Sequence, residues 1–124
     1  MEAIRTEKLT KSYGKARGII DLDLRVEQGD FFGFIGPNGA GKSTTIRTLL
    51  GLIRPTSGRG EVLGLDITRQ NGEILNRVGY LPSEAVLYRG MKVRELLRFS
   101  AGLRKRDCVK EGEALCERLR LDPT

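Results

Sequence analysis

The chain has 124 residues, enough for one domain with a real core, yet only 39% are apolar against 31% charged, a balance that fits a piece short of some core partners. No apolar run approaches bilayer-spanning length, and Glu2, Arg5, Glu7 and Lys8 leave no room for an apolar signal segment, so a cytoplasmic protein is the expectation. The net charge of +6 raises nucleic-acid binding, but the densest basic run, Arg104-Lys105-Arg106, sits beside Asp107 without interleaved aromatic rings; a solvated basic surface is the better reading and no nucleic-acid partner is expected.

In chain order, Ala3 to Leu9 alternates loosely, as in a solvent-facing strand, and Lys11 to Lys15 is a turn-rich connection. Ile20, Leu22, Leu24 and Val26, with Ile19 just before them, alternate clearly and predict a second, antiparallel strand. The turn-like Gly29-Asp30 then leads into Phe31-Phe32-Gly33-Phe34-Ile35, an apolar run that predicts a covered parallel strand.

Directly after it, the run Gly36-Pro37-Asn38-Gly39-Ala40-Gly41-Lys42-Ser43-Thr44 fits the pattern G-x-x-x-x-G-K-[ST] without a gap. A polyphosphate needs many donors that come close. The glycines at 36, 39 and 41 remove side chains that would hold the backbone away and permit an anion-cradling nest. Lys42 supplies a mobile charge for the β- and γ-phosphates, Ser43 a hydroxyl for Mg²⁺, and Thr44 a hydroxyl or backbone donor for the α-phosphate. Ile46, Leu49, Leu50 and Ile53 follow at the spacing of one buried helical face, with Arg54-Pro55 as the expected stop and Thr56 to Gly58 as loop. Strand, loop and helix together point to a nucleoside triphosphate site.

Further along, 61–65 predicts another strand and Val78 to Pro82 a core strand closed by proline. Val93, Leu96, Leu97 and Leu103 predict an amphipathic helix. Val109, Leu115 or Cys116, and Leu119 predict a second, ending near Asp122-Pro123. Cys108 and Cys116 would lie about 12 Å apart along one helix, too far for a disulfide within it. Both are expected to be reduced. The absence of histidine excludes Cys/His zinc sites.

These motifs together resemble the ATP-binding domain of ABC transporters, from about Ile4 onward. Lys11-Ser12-Tyr13-Gly14 resembles the family's A-loop, whose aromatic ring stacks on adenine, with tyrosine packing on its own strand as the alternative. Ile19 would add apolar contact beside the base or sugar. The phosphate loop matches Walker A, and Val78 to Pro82, then Leu87-Tyr88 and 91–96, resembles the Q-loop and the start of the helical subdomain. The wording is most similar to ATPases of ABC-2-type exporters, the multidrug kind. The resemblance implies an α/β fold: a P-loop NTPase-type core with an antiparallel β subdomain over residues 1–82 and the start of an α-helical subdomain over 83–124, truncated. It also implies Mg-ATP as ligand, Lys42 as the catalytic residue, a second ATP-binding domain as dimer partner, and a polytopic membrane subunit met through the segment after Pro82. A peripheral place on the inner face of the membrane follows. A soluble ABC-type ATPase acting on ribosomes or in DNA repair is the alternative.

Two departures stand out. The family places glutamine after Tyr-Leu-Pro, whereas here Ser83 and Glu84 follow Pro82; either is a candidate metal contact, and Glu84 alternatively a helix-end charge. The family's signature loop, Walker B strand and switch histidine are not found, since Asp21, Asp23 and Asp66 lack a preceding apolar run. The chain is therefore expected to be the N-terminal part of such an ATPase, unable to hydrolyse ATP alone. Phe32, Phe34, Ile46 and Leu50 are expected to be partly uncovered, which favours self-association.

Overall fold

Alternation near the amino terminus becomes a long antiparallel hairpin. Strands β1 (Glu2–Tyr13) and β2 (Ala16–Glu27) pair from Glu2 opposite Glu27 to Tyr13 opposite Ala16. The turn-rich connection thus shrinks to Gly14 and Lys15, and the strands run further than their apolar residues do. The computed structural model describes residues 1–124 except 38, 40, 85 and 86, and the side chain of Arg17 is likewise not described. It divides into two compact units, Met1–Gly79 and Tyr80–Thr124.

In the first unit, α1 (Lys42–Leu49) is followed by β3 (Ser57–Val62) and β4 (Leu65–Asp66), and the sheet order is β2-β1-β3-β4, all antiparallel. The expected strand over 61–65 is instead a hairpin, because Leu63 and Gly64 take φ of 53° and 76° and reverse the chain between Val62 and its partner Leu65. Ser57 and Gly58, read as loop, belong to β3 and extend its pairing with β1 as far as Thr10 opposite Ser57. Helix α2 (Asn71–Arg77) was not foreseen. Its seven residues carry too little periodicity to announce a helix, although Ile74 on it is fully buried.

Leu9, Leu49, Val62, Ile67 and Ile74 form the core, so β1, α1, β3, the turn after β4 and α2 all contribute to it. Helix α1 ends earlier than Pro55 requires. The Gly51 amide donates to the Thr48 carbonyl at 3.0 Å and the Leu52 amide to the Arg47 carbonyl at 2.9 Å, with Gly51 at φ 72°. This is a Schellman ending, in which the left-handed residue is glycine because a Cβ would be disfavoured there. Leu49 and Leu50 are buried, Ile53 half-buried, and Ile46 is 41% exposed.

The largest difference from expectation is Phe31 to Ile35. Among the described residues this run joins no ladder, and Phe31 and Ile35 stand almost wholly exposed, with Phe32 at 50% and Phe34 at 38%. Its composition is that of a strand covered on both faces, but a strand exists only through hydrogen bonds to a neighbour. Among the described residues, the four strands of the sheet pair with one another and leave it none. Phe32, Phe34 and Ile46 are uncovered as expected; Leu50 is not, because the α1 ending tucks it in at 5% exposure. Val78 to Pro82 likewise forms no strand. Val78 packs against the core while Tyr80 and Leu81 are exposed.

The second unit holds α3 (Val93–Arg104) and α4 (Val109–Arg118). The Glu95 carboxylate accepts the Lys92 amide at 2.9 Å and so caps the start of α3. Arg94 on α3 pairs with Glu113 on α4 at 3.0 Å, and the Phe99 ring meets Tyr88 edge to face at 5.7 Å. Ala101 and Cys116 are the buried residues of the two helices. Cys108 is exposed just before α4, and both cysteines are free. The basic run Arg104-Lys105-Arg106 closes α3 at the junction anticipated from its sequence.

Candidate functional site

The phosphate loop ends on Gly41, the N-cap of α1, at φ 93° and ψ 9°. That left-handed conformation suits glycine, and position also demands it, since a Cβ on Gly41 would lie 2.8 Å from the Gly18 carbonyl oxygen in β2. The loop is thereby pressed against the hairpin. The first intrahelical bond runs from the Thr45 amide to the Gly41 carbonyl at 2.8 Å, so the amides of Lys42, Ser43 and Thr44 precede the ladder and have no partner within the helix. Gly41 offers no side-chain cap to take them. Those amides and the positive end of the helix are suited to an anion.

The hydroxyls along α1 divide into two sets. Thr45 Oγ1 donates to the Gly41 carbonyl and Thr48 Oγ1 to the Thr44 carbonyl, both at 2.7 Å, and both residues are buried. Ser43 is exposed and Thr44 half-buried, and among the described residues neither hydroxyl makes a hydrogen bond. The two side chains at the loop end keep their oxygens available, and a hard oxygen at Ser43 fits Mg²⁺. Lys42, half-buried, reaches back across the loop so that Nζ donates to the Gly36 carbonyl. A cation is thus held over the loop by its own backbone. Asn38 and Ala40, also expected to bind nucleotide, lie outside the described residues.

Tyr13 is the last residue of β1 and is 46% exposed. It stands beside Gly18, where a Cβ would come within 3.5 Å of Tyr13 Cδ2 and 1.9 Å of the Lys11 carbonyl oxygen. Gly18 therefore carries the contacts that link the ring to the phosphate loop: Tyr13 on one side, Gly41 on the other. Ile19, the next residue, is buried, and its Cγ1 is the neighbour 3.9 Å from a Cβ built on Gly41. It is thus adjacent to the loop end at Gly41. Lys11 Nζ lies 5.2 Å from the Tyr13 ring centroid. The sequence named Lys11 only as part of the A-loop-like run and did not single out Gly18, although both left signals. Residues two apart share a strand face, and an isolated glycine within a strand pattern marks a close backbone approach.

Asp21, Asp23 and Asp66 have structural duties. Asp23 accepts the Lys8 amide at 2.8 Å, and Asp21 accepts the Thr10 hydroxyl at 3.4 Å. Asp66 accepts the Thr68 hydroxyl at 2.6 Å and the amides of Thr68 and Arg69 at 2.7 and 3.0 Å. The Thr68 hydroxyl, then the backbone donors, hold the Asp66 carboxyl below its ordinary value of 3.8. Ser83 and Glu84 are both exposed and belong to the second unit. Among the described residues no group of three or more acidic or cysteine side chains is placed to hold a metal, and no helix is long and apolar enough to cross a membrane.

A family model for the ABC transporter matches residues 19–123. The chain belongs to the ABC transporter ATP-binding family. This ABC chain is 43% identical over 111 residues to the bacitracin transport ATP-binding protein BcrA of Bacillus licheniformis, covering 87% of the chain and 36% of that protein. It is 39% identical over 100 residues to the probable multidrug ABC transporter ATP-binding protein YbhF of Escherichia coli, covering 81% of the chain and 17% of the relative. The chain thus spans well under half the length of these curated relatives. Its fold matches a nucleotide-free ATP-binding cassette from an ABC transporter with a TM-score of 0.74 at 27% identity, covering 98% of the chain and 55% of that cassette. The α/β fold of the ABC ATP-binding domain, present in part, is therefore established.

Proposed function

We propose that this chain forms the Mg-ATP-binding part of the motor subunit of an ABC exporter. The observation that carries the proposal is the convergence at the start of α1. Three amides without helical partners, the Ser43 and Thr44 hydroxyls and the Lys42 ammonium meet where Gly41 abuts the hairpin. In this reading the loop from Gly36 to Gly41 wraps the phosphates, Lys42 takes the β- and γ-phosphates, Thr44 the α-phosphate, and Tyr13 the base. Ser43 would hold Mg²⁺, which supplies charge neutralisation between phosphate oxygens. Ser83 or Glu84, each with an exposed oxygen, would be a further candidate ligand for a metal.

Turnover needs a positioned water and stabilisation of charge on the transferring phosphoryl group. Asp21, Asp23 and Asp66 are occupied in turns and strand pairing, and the sequence contains no histidine. Binding without hydrolysis is therefore the proposed activity of the chain by itself. The names of the relatives, bacitracin transport and multidrug transport, favour an exporter over a ribosome-acting or DNA-repair ATPase. In the exporter reading two ATP-binding domains pair, and the segment after Pro82 meets a polytopic membrane subunit at the cytoplasmic face.

The test is a Mg-ATP titration of the chain and of its Lys42→Ala variant. The substitution removes a half-buried charge but no core area, so the variant should fold normally and lose at least tenfold in affinity, the scale of one charge-assisted contact of about 1.5–3 kcal/mol. Equal affinity in a folded variant would refute the role of Lys42.

A further inference from the structure

We infer that Lys11 is a positioning residue for the nucleotide base, holding the Tyr13 ring from one face through a cation–π contact. The inference rests on the reading that this site binds nucleotide. Tyr13 ends a strand at an exposed two-residue turn, where an unsupported ring would sample several rotamers and pay to be ordered when a base arrives. Two contacts limit that freedom. The ring edge lies against Gly18, and the Lys11 ammonium sits 5.2 Å from the ring centroid. Lys11 is itself half-buried, with no carboxylate partner among the described residues. Its charge is directed to the ring. A cation above a centroid occupies one face only, and 46% of the tyrosine remains exposed, which leaves surface for a stacked base.

The backbone explains how the pair is presented. Shifts of register flank Lys11 on both sides in its pairing with β2, and the missing side chain at Gly18 lets the Lys11 carbonyl approach closely. The same glycine carbonyl abuts Gly41. Ring, supporting cation and phosphate loop are thereby fixed to one short stretch of the hairpin.

The experiment is a Mg-ATP titration of the chain, of Lys11→Met, of Lys11→Arg, of Tyr13→Leu, and of Lys11→Met combined with Tyr13→Leu, each checked for intact α1 amide resonances. Lys11→Met should weaken binding about two- to fivefold, the range of an exposed cation–π contact. Lys11→Arg, which retains such a contact, should stay within about twofold of the parent. In the Tyr13→Leu background Lys11→Met should change nothing further, a result a merely structural lysine or a direct phosphate ligand would not give. Unchanged or tighter binding by Lys11→Met, or a loss that persists without Tyr13, would overturn the inference while leaving the nucleotide reading intact. A parent chain that binds no Mg-ATP would overturn the nucleotide reading, and this inference with it.

Discussion

Replacing Gly41 by alanine strains the site at the point where loop and hairpin touch. The residue sits at φ 93° and ψ 9°, a conformation that costs a non-glycine residue about 1–2 kcal/mol. The new Cβ would also stand 2.8 Å from the Gly18 carbonyl oxygen, a backbone atom that cannot rotate away, so β2 or the loop must shift. Gly39 is the internal control: it takes φ 82°, but a Cβ there meets nothing within 4 Å, so Gly39→Ala carries the dihedral cost alone. Gly41→Ala should therefore lose about 1 kcal/mol more than Gly39→Ala, for a total of about 2–3 kcal/mol. Urea unfolding followed by circular dichroism reads the difference as a lower midpoint at equal slope. Mg-ATP affinity should fall with Gly41→Ala because the amides of residues 42–44 move with the loop. Equal midpoints for the two variants would refute the reasoning, since the contact with Gly18 would then carry no weight.

Three further outcomes are expected. Ile74→Ala, at a fully buried core position, should cost about 2–5 kcal/mol in urea unfolding, with α2 losing amide protection first. The Asp66 pKa is lowered on folding by the Thr68 hydroxyl and backbone donors, so its stabilisation is present above the unfolded value near 3.8 and lost as pH falls through the folded one. Stability measured from pH 6 to pH 2 should drop less steeply at the acid end in Asp66→Asn than in the parent. Phe31→Ser with Ile35→Ser, both at highly exposed positions, should change unfolding stability by less than about 0.5 kcal/mol. The same pair should reduce concentration-dependent association in sedimentation, because an apolar patch is removed.

The local structure around the candidate site was legible in the sequence at the start of α1. Gly41 to Thr44 encode cap and helix start through chemistry that is local: a glycine dihedral, a lysine charge, a hydroxyl at the first turn. The β1–β2 hairpin and helices α3 and α4 were legible for the same reason, as their periodicity lies within each segment. What failed was non-local. The run from Phe31 to Ile35 has the composition of a buried strand, but its pairing depends on neighbours that the four antiparallel strands do not supply. Similarly, 61–65 looked like one strand because Leu63 is apolar, whereas its left-handed backbone beside Gly64 makes it the first residue of a turn. The contact of Gly41 with Gly18, and the placing of Lys11 over Tyr13, join positions that only the folded hairpin brings together.

The most direct test of the account is a titration of the isotopically labelled chain with Mg-ATP, followed by backbone amide resonances. Saturable shifts confined to Gly36, Gly39 and the amides of residues 41–44, together with the ring protons of Tyr13, are the predicted result. A well-dispersed spectrum in which those loop amides stay unmoved at millimolar Mg-ATP would contradict it.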